Sequence, residues 1–180
     1  MKFLLAAAAS VALGVGMPDI SPPTVLDIIP HYMESGFVPY RTAAIDTIVL
    51  HSSYNSSGGD VYSVERLIAV YRQYGVSAHY LIDRQGLVYR LVPDEFTSYH
   101  AGPSKMPDGR MGVNAFSIGI ELMNTETDTY TSAQYESLLK LIALEKQKNS
   151  GIRYIVGHGQ IAPNRRSDPW NFDWSRVTTS

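Results

Sequence analysis

Two histidines and one aspartate have the residue types and positions expected of metal ligands. His51 directly follows the apolar segment IDTIVL, His158 follows YIVG, and Asp168 comes ten residues after His158. Two neutral imidazoles and one carboxylate form a three-ligand zinc set that leaves a fourth position for water, as catalytic sites do. Strand ends beside loops are where open sheets place such groups. The spacing also leaves the alternative that each histidine is a hydrogen-bonded core or surface residue.

A carboxylate in a third apolar segment could act together with such a metal. Glu121 lies in FSIGIEL, residues 116–122. Because side chains alternate across a strand, Glu121 shares one face with Ser117 and Gly119, and the large apolar residues occupy the other face. A substrate could approach over these small neighbours, and Glu121 could serve as general base for a metal-bound water. The alternative is that this face is simply exposed to solvent.

Strand and helix patterns alternate along the part of the chain that must position these residues. The expected strands are 45–50, 78–83, 87–92, 116–122 and 154–157, and the expected helices are 61–74 and 131–149. Gly75 closes the first helix, and Thr131 with Gln134 forms a capping box for the second. The alternation predicts an α/β fold, or α+β if the sheet is mostly antiparallel: a single domain with a central mixed sheet flanked by helices.

Composition excludes several classes of protein. The 180 residues carry 15 Lys and Arg against 17 Asp and Glu, a formal charge of −2. This balance argues against a protein that works mainly by neutralising nucleic-acid phosphates. The chain has no cysteine. Disulfides, thiolate metal sites, a cysteine nucleophile and a lipid attached through cysteine are therefore excluded.

The amino terminus resembles a secretory signal. Lys2 precedes an apolar run over residues 3–15, broken only by Ser10. A bilayer requires roughly 20 apolar residues, so this run is too short to span it, but it has the length of a signal-peptide core. We expect a signal peptide over 1–16 and an exported mature protein without a transmembrane span, the alternative being a buried terminal helix. The proline-rich segment 17–44 is expected to be an irregular arm before a domain at 45–180.

Several segments together resemble a known enzyme family. They are, in chain order, VSAHYLIDRQG, YHAGPS, NAFSIGIEL, YTSAQYESL and GHGQIAPNRRSDPWNFDW, within about residues 45–176. On these segments the chain resembles the type 2 N-acetylmuramoyl-L-alanine amidases of the AmpD and AmiD type. Phage amidase-lysozymes and peptidoglycan recognition proteins are more distant relatives. The resemblance implies a zinc enzyme, with the fold of that family, over 45–180. Such an enzyme hydrolyses the amide between N-acetylmuramic acid and L-alanine in peptidoglycan or muropeptides. With the signal peptide expected above, the protein would be periplasmic in a bacterium.

The resemblance also implies roles for particular residues. It places the zinc ligands at His51, His158 and Asp168 and the catalytic glutamate at Glu121. Arg166 stands where the family usually has an active-site lysine. Arginine keeps the positive charge but stays protonated. We therefore expect Arg166 to stabilise an oxyanion rather than to transfer protons.

Further residues are predicted near the cleft. The resemblance places His100, in YHAGPS, beside the substrate, the alternative being a loop histidine that holds its own backbone. Asn114 and Arg110 precede the strand of Glu121 and could bind a carboxylate of the stem peptide. Trp170 replaces the usual glycine, so we expect the edge of the site to differ. For His79, within a strand, a structural role is expected.

A second class of function is a non-catalytic module that binds peptidoglycan, as some animal relatives of the family do. Such a module has lost the metal site, whereas this chain retains three candidate ligands and Glu121. The enzyme is therefore favoured. No pattern in the sequence indicates an oligomeric state.

Overall fold

A computed structural model describes residues 26–177, so the predicted signal peptide and the first part of the arm lie outside the described residues. The strands in chain order are β1 (Ile28–Pro30), β2 (Phe37–Val38), β3 (Thr47–Ser53), β4 (Tyr80–Ile82), β5 (Val88–Arg90), β6 (Thr97–Ser98), β7 (Ser117–Met123) and β8 (Tyr154–Gly157). The helices are α1 (Val64–Tyr74), α2 (Ser132–Lys148) and the short α3 (His158–Ile161).

Six strands form one mixed sheet in the order β1-β5-β4-β7-β3-β8. Within residues 26–177 the strand pairings of this sheet are parallel except for the β4–β5 hairpin. β2 and β6 form a separate antiparallel pair. The predicted mixed sheet flanked by helices is therefore confirmed, and its mostly parallel pairing makes the fold α/β rather than α+β.

The main apolar core lies between the sheet and α2. Inward-facing residues of the central strands pack there against one face of the helix: Ile48, Leu50, Ile118, Ile120, Leu122, Leu138, Leu141 and Ile142. The predicted capping box starts α2, because the Thr131 side chain accepts from the Gln134 backbone N–H and the Gln134 side chain accepts from the Thr131 N–H. Ile118, Ile120 and Leu122 of β7 are on this side of the sheet, as the predicted alternation requires, and Met123 at the end of the strand packs on the other side.

Helix α1 covers the opposite face of the sheet, the face that carries Glu121. Its buried residues Leu67, Ile68 and Tyr71 pack with apolar side chains of β4 and β7. The helix begins later than the predicted residue 61, because the Ser63 side chain caps it by accepting from the Arg66 N–H. Gly75 ends it in the left-handed conformation, at φ 63°. The position of α1 leaves space at one end of this face, where the candidate site lies.

The described part of the arm is more regular than we predicted. β1 extends the main sheet by pairing with β5, and β2 pairs with β6. Arg41 then enters the protein and donates to the backbone carbonyls of Asp94, Asn114, Ala115 and Ser117. The arm contributes backbone pairing and a partly buried cation, which a proline-rich sequence does not reveal. It therefore helps to hold the segment that leads into β7.

Candidate metal centre

Parallel pairing and one close approach bring the predicted ligands together. In the register of β3 and β7, His51 lies opposite Glu121, so both side chains leave the same face of the sheet. β8 pairs with β3 on its other side and ends at Gly157, directly before His158. A Cβ at Gly157 would lie 2.8 Å from Cδ of Pro169. Glycine therefore allows the segment carrying Asp168 to approach the end of β8.

Three ligand atoms form a small triangle at this point. His51 Nδ1 lies 3.0 Å from His158 Nδ1, and Asp168 Oδ2 lies 3.5 Å from His51 Nδ1 and 3.3 Å from His158 Nδ1. A tetrahedral ion with bonds of about 2.0–2.1 Å keeps its ligand atoms about 3.3 Å apart. The three residues are only 1%, 5% and 6% exposed. The donor set and its spacing are therefore compatible with a metal ion.

The protonation states of His51 and Asp168 also suit a cation. Burial lowers the pKa of His51 to about 4, so this imidazole is neutral near pH 7. Burial opposes ionisation of Asp168, but its close contacts with His158 and His51 hold the pKa of its carboxyl well below the ordinary value. One carboxylate thus shares a buried corner with two nitrogen-containing rings. A positive ion placed between them would be attracted to all three groups.

A cavity of about 560 Å³ opens onto the triangle. Glu121, Arg166 and the three ligand residues line it, and aromatic side chains lie around them: Tyr54, Tyr71, Tyr74, Tyr99 and Trp170. This volume is within the range of small-molecule sites. Trp170, the departure from the family pattern, lies at the cavity as expected and tilts against Tyr54, with 6.1 Å between ring centroids.

Glu121 is buried beside the triangle rather than exposed to solvent. It is 9% exposed, and its Oε2 atom has no hydrogen-bond partner in residues 26–177. Burial and the charge of Asp168 raise the pKa of Glu121 to about 8, against the opposing effects of Ser53 and Arg166. A carboxyl group with a pKa near the working pH can both accept and donate a proton. Its open oxygen therefore suits proton transfer in the cavity.

The two neighbouring arginines have different surroundings. Arg165 donates to the carbonyl oxygens of Ala101, at 2.6 Å, and Pro103, at 3.0 Å. The side chain of Arg166 is exposed, has no hydrogen-bond partner within residues 26–177, and lines both the main cavity and a second one of about 240 Å³. Arg165 therefore holds a loop, and Arg166 presents an available cation. The loop-holding role of Arg165 was not predicted from the sequence, because its acceptors are backbone carbonyls of a distant loop.

His100 reaches the cavity wall, but both of its ring nitrogens have partners within the protein. Its Nδ1 lies 3.0 Å from His51 Nε2, and its Nε2 lies 3.1 Å from Ser117 Oγ. The predicted substrate contact of His100 stays a prediction. The ring also occupies the space above Gly119, where a Cβ would lie 2.4 Å from its Cγ. The small-residue face that we expected a substrate to approach is thus filled at Gly119 by His100.

Asn114 and Arg110 lie away from the cavity lining, contrary to the expected placement. The Asn114 side chain accepts from the backbone N–H of Ala101 at 2.8 Å. Arg110 pairs with Asp46 and Asp108. Asn114 lies within the Val113–Phe116 3₁₀ turn that precedes β7, and Arg110 lies before that turn. The positions of Asn114 and Arg110 before β7 in the sequence did not indicate the direction of their side chains.

His79 has the structural environment that we predicted. It is fully buried, and its Nδ1 accepts from the Gly119 backbone N–H at 2.9 Å. Its Nε2 lies 3.2 Å from the carbonyl oxygen of Phe96. Since its ring bridges β7 and the chain before β6, it supports the strand that carries Glu121.

The mixed sheet, its helices and this buried His–His–Asp triangle place the chain in a known class. The family model described as N-acetylmuramoyl-L-alanine amidase matches residues 41–171, and the chain belongs to this family. The 1,6-anhydro-N-acetylmuramyl-L-alanine amidase AmpD of Enterobacter cloacae is 47% identical over 111 residues, which are 58% of this chain and 59% of that protein. The match thus spans about three fifths of this relative's length.

Solved structures show the same fold. A crystal structure of a selenomethionine AmpD derivative has a TM-score of 0.73 and 30% identity, covering 86% of this chain and 94% of that one. The amidase AmiD from E. coli, in complex with anhydro-N-acetylmuramic acid-L-Ala-D-gamma-Glu-L-Lys, has a TM-score of 0.63 and 25% identity. That match covers 79% of this chain and 65% of AmiD. The resemblance stated from the sequence motifs is confirmed at the level of family and fold.

The raised pKa of Glu121 makes a prediction about the stability of the metal-free protein. The folded pKa is about 8, and an unfolded glutamate has a pKa of about 4.3. As the pH rises between these values, the unfolded chain releases a proton that the folded protein retains. This carboxyl therefore lowers the free energy of unfolding, by up to about 1.4 kcal/mol per pH unit. Glu121→Gln should remove the effect, so its stability advantage over wild type should grow from pH 5 to pH 8 in urea unfolding.

The control for this measurement is Glu126→Gln, because Glu126 is an exposed glutamate that also lines the cavity. Its stability difference from wild type should be the same at both pH values. A pH-independent difference for Glu121→Gln would contradict the assigned environment of Glu121.

Proposed function

We propose that this protein is a zinc-dependent N-acetylmuramoyl-L-alanine amidase. The proposed reaction is hydrolysis of the amide between the lactyl group of N-acetylmuramic acid and L-alanine in peptidoglycan or muropeptides, for cell-wall turnover or recycling. The observation that carries the proposal is the triangle of His51, His158 and Asp168, which lies on a cavity that also contains a buried glutamate and an available arginine. Family membership supports the same reaction.

The ligand set supports zinc as the ion. His51, His158 and Asp168 offer two imidazole nitrogens and one carboxylate, a set that catalytic zinc sites use with one position left open. When bound, zinc supplies Lewis acidity that polarises a carbonyl group and makes a water molecule more acidic. The remaining requirements of amide hydrolysis are a proton acceptor, a proton donor for the leaving amine, and charge stabilisation. Other residues of the cavity meet these requirements.

Glu121 is the proposed proton-transfer group. Its Oε2 has no partner within the described residues, so it is open to a proton from the attacking water. The raised pKa means that the protonated form persists near neutral pH and can deliver the proton to the departing nitrogen of L-alanine. His51 lies opposite Glu121 in the strand register, which fixes the carboxyl group beside the proposed metal position. The same group thereby serves first as base and then as acid.

Arg166 is the proposed stabiliser of the tetrahedral oxyanion. Its guanidinium always carries a positive charge at working pH, and no carboxylate within residues 26–177 forms an ion pair with it. Because it lines the cavity together with Asp168, it can donate hydrogen bonds toward the carbonyl oxygen as charge develops there. A guanidinium does not release protons at working pH, so Glu121 remains the proton carrier.

The substrate class is supported by the names of similar proteins. Six similar proteins at 40–47% identity are named as 1,6-anhydro-N-acetylmuramyl-L-alanine amidases. We therefore include 1,6-anhydro muropeptides among the proposed substrates. The test is mass spectrometry of the products from a 1,6-anhydro muropeptide and from its reducing counterpart, each with and without a chelator.

Release of a free stem peptide that begins with L-alanine, abolished by chelator and restored by zinc, is the expected result. Glu121→Gln should retain zinc and lose about 10²–10⁴-fold in turnover. Binding of the muropeptide without any cleavage would contradict the proposal and favour the non-catalytic recognition module.

Removal of a ligand should abolish metal binding and activity together. His51→Ala leaves two of the three proposed ligands, so we expect zinc to fall from about one ion per chain to below a tenth, with turnover lost in parallel. Elemental analysis after dialysis and the same product assay measure this. His31→Ala is the matched control, because His31 lies in the arm next to Tyr89. Full amidase activity in a dialysed His51→Ala protein would show that the ligand assignment is wrong.

Arg166 can be tested with two substitutions. Arg166→Ala should lower kcat by about 10²–10³-fold through loss of oxyanion stabilisation. Arg166→Lys restores the residue usual in the family and keeps the charge, so activity should be preserved or raised. Arg153→Ala, at an exposed arginine elsewhere, should leave kcat unchanged. A collapse of kcat in Arg166→Lys would instead show that the site depends on the planar guanidinium.

We also propose that residues 1–16 direct export and are removed. Lys2 and the apolar run that follows support this, and residues 26–177 contain no helix long and apolar enough to cross a membrane. When the full chain is produced in a Gram-negative bacterium, intact mass of the periplasmic fraction should show loss of the amino-terminal segment. Leu5→Arg should keep the protein in the cytoplasm. Periplasmic protein that still begins at Met1 would contradict the cleavage.

A further inference from the structure

A chain of hydrogen bonds with defined direction leads from the backbone to His51. The carbonyl oxygen of Val113 can only accept, so the Ser117 hydroxyl donates to it at 2.7 Å. Ser117 Oγ then has only its acceptor side left for His100 Nε2, at 3.1 Å, which must carry the proton. A neutral His100 therefore has a lone pair on Nδ1 and accepts from His51 Nε2–H, at 3.0 Å. The lone pair of His51 consequently lies on Nδ1, the atom in the ligand triangle.

Ala101, the residue after His100, accepts a hydrogen bond from the second histidine, His158. His158 Nε2 lies 3.2 Å from the carbonyl oxygen of Ala101, so this nitrogen donates. Arg165 Nη2 is also near His158 Nε2, at 3.4 Å. Its two hydrogens are already given to the carbonyls of Ala101 and Pro103, so it cannot supply the proton for that contact. With Nε2 protonated, a neutral His158 ring also has its lone pair on Nδ1, in the triangle.

The two acceptor atoms belong to the consecutive residues His100 and Ala101, which other buried side chains hold in place. Asn114 accepts from the Ala101 N–H at 2.8 Å, and Ser117 meets the far side of the His100 ring. The ring fits above β7 because Gly119 has no side chain there. His100, Ala101 and Ser117 are all less than 9% exposed. One buried segment therefore meets both imidazoles on the side away from the triangle.

We infer that His100 and Ala101, held by Ser117 and Asn114, are positioning residues that set one ring tautomer in both candidate metal ligands. The inference rests on the metal site of the proposed function. It assigns to His100 a role in orienting His51, and it gives Asn114 and Gly119 supporting roles outside the triangle. Outer partners of this kind commonly contribute 10–100-fold in metal affinity.

The direct test is the tautomer in the zinc-free wild-type protein. Ring ¹⁵N chemical shifts of labelled histidine should show the Nε2–H form for both His51 and His158. This measurement needs neither metal nor turnover. If either neutral ring carries its proton on Nδ1 instead of Nε2, the inference is overturned, whatever the enzyme does.

Variants test the contribution to zinc affinity, measured by competition with a chelating dye. Ser117→Ala removes the acceptor of His100 Nε2–H, and His100→Leu removes the acceptor of His51 Nε2–H; each should weaken zinc binding about 10–100-fold. His100→Gln offers an amide oxygen and an amide N–H in the same order, so it should remain within about threefold of wild type. Asn114→Asp keeps the acceptor for Ala101 and should also bind nearly normally, whereas Asn114→Leu should not.

Ser98→Ala is the matched control, since Ser98 is equally buried and loses one hydroxyl hydrogen bond, to Ser77, outside this chain of contacts. Its zinc affinity should stay within twofold of wild type. Wild-type zinc affinity in folded Ser117→Ala and His100→Leu proteins, judged by circular dichroism, would overturn the inference. Normal zinc binding and the expected tautomers in a protein without amidase activity would leave this inference intact and reject only the proposed reaction.

Discussion

The crowding of three polar groups in one buried corner is the constraint on which the site depends. Two imidazole nitrogens and a carboxylate oxygen approach one another within 3.0–3.5 Å where almost no water reaches them. Such an arrangement lacks enough protons to satisfy every lone pair, and buried polar groups without partners are costly. A shared cation would remove that cost for all three groups. The local structure around the triangle is best understood as support for this one contact.

The sheet supplies most of that support. Because β3 pairs in parallel with both β7 and β8, these three strands end at the same edge of the sheet. His51, Glu121 and His158 are neighbours there, although more than 100 residues of sequence separate His51 from His158. Helices on both faces exclude water from the strands themselves. Chemistry is thereby confined to the strand ends, as in other open parallel sheets.

Much of the fold could be predicted from the sequence because it leaves local patterns, and the resemblance to a family predicted that His51, His158 and Asp168 lie together, as they do. The capping box at Thr131 is an example, and the alternation in β7 correctly put Glu121 opposite the apolar core. What could not be predicted depends on contacts between distant segments. The strands of the arm, the clamp made by Arg165 and the inward direction of Asn114 depend on backbone carbonyls and N–H groups, which all residues except proline possess and no motif marks. The lack of a side chain at Gly119 suggested that a substrate could approach there, but the structure shows that the His100 ring occupies this space.

The neighbouring arginines have one more consequence. Two carbonyl oxygens anchor Arg165, so the backbone that carries Arg166 is held in place before any ligand arrives. Binding usually orders both the backbone and the long side chain of an arginine, which costs conformational entropy. A backbone that is already fixed removes its share of that cost. The anchoring of Arg165 thus lowers the entropic cost of binding an anion at the neighbouring Arg166.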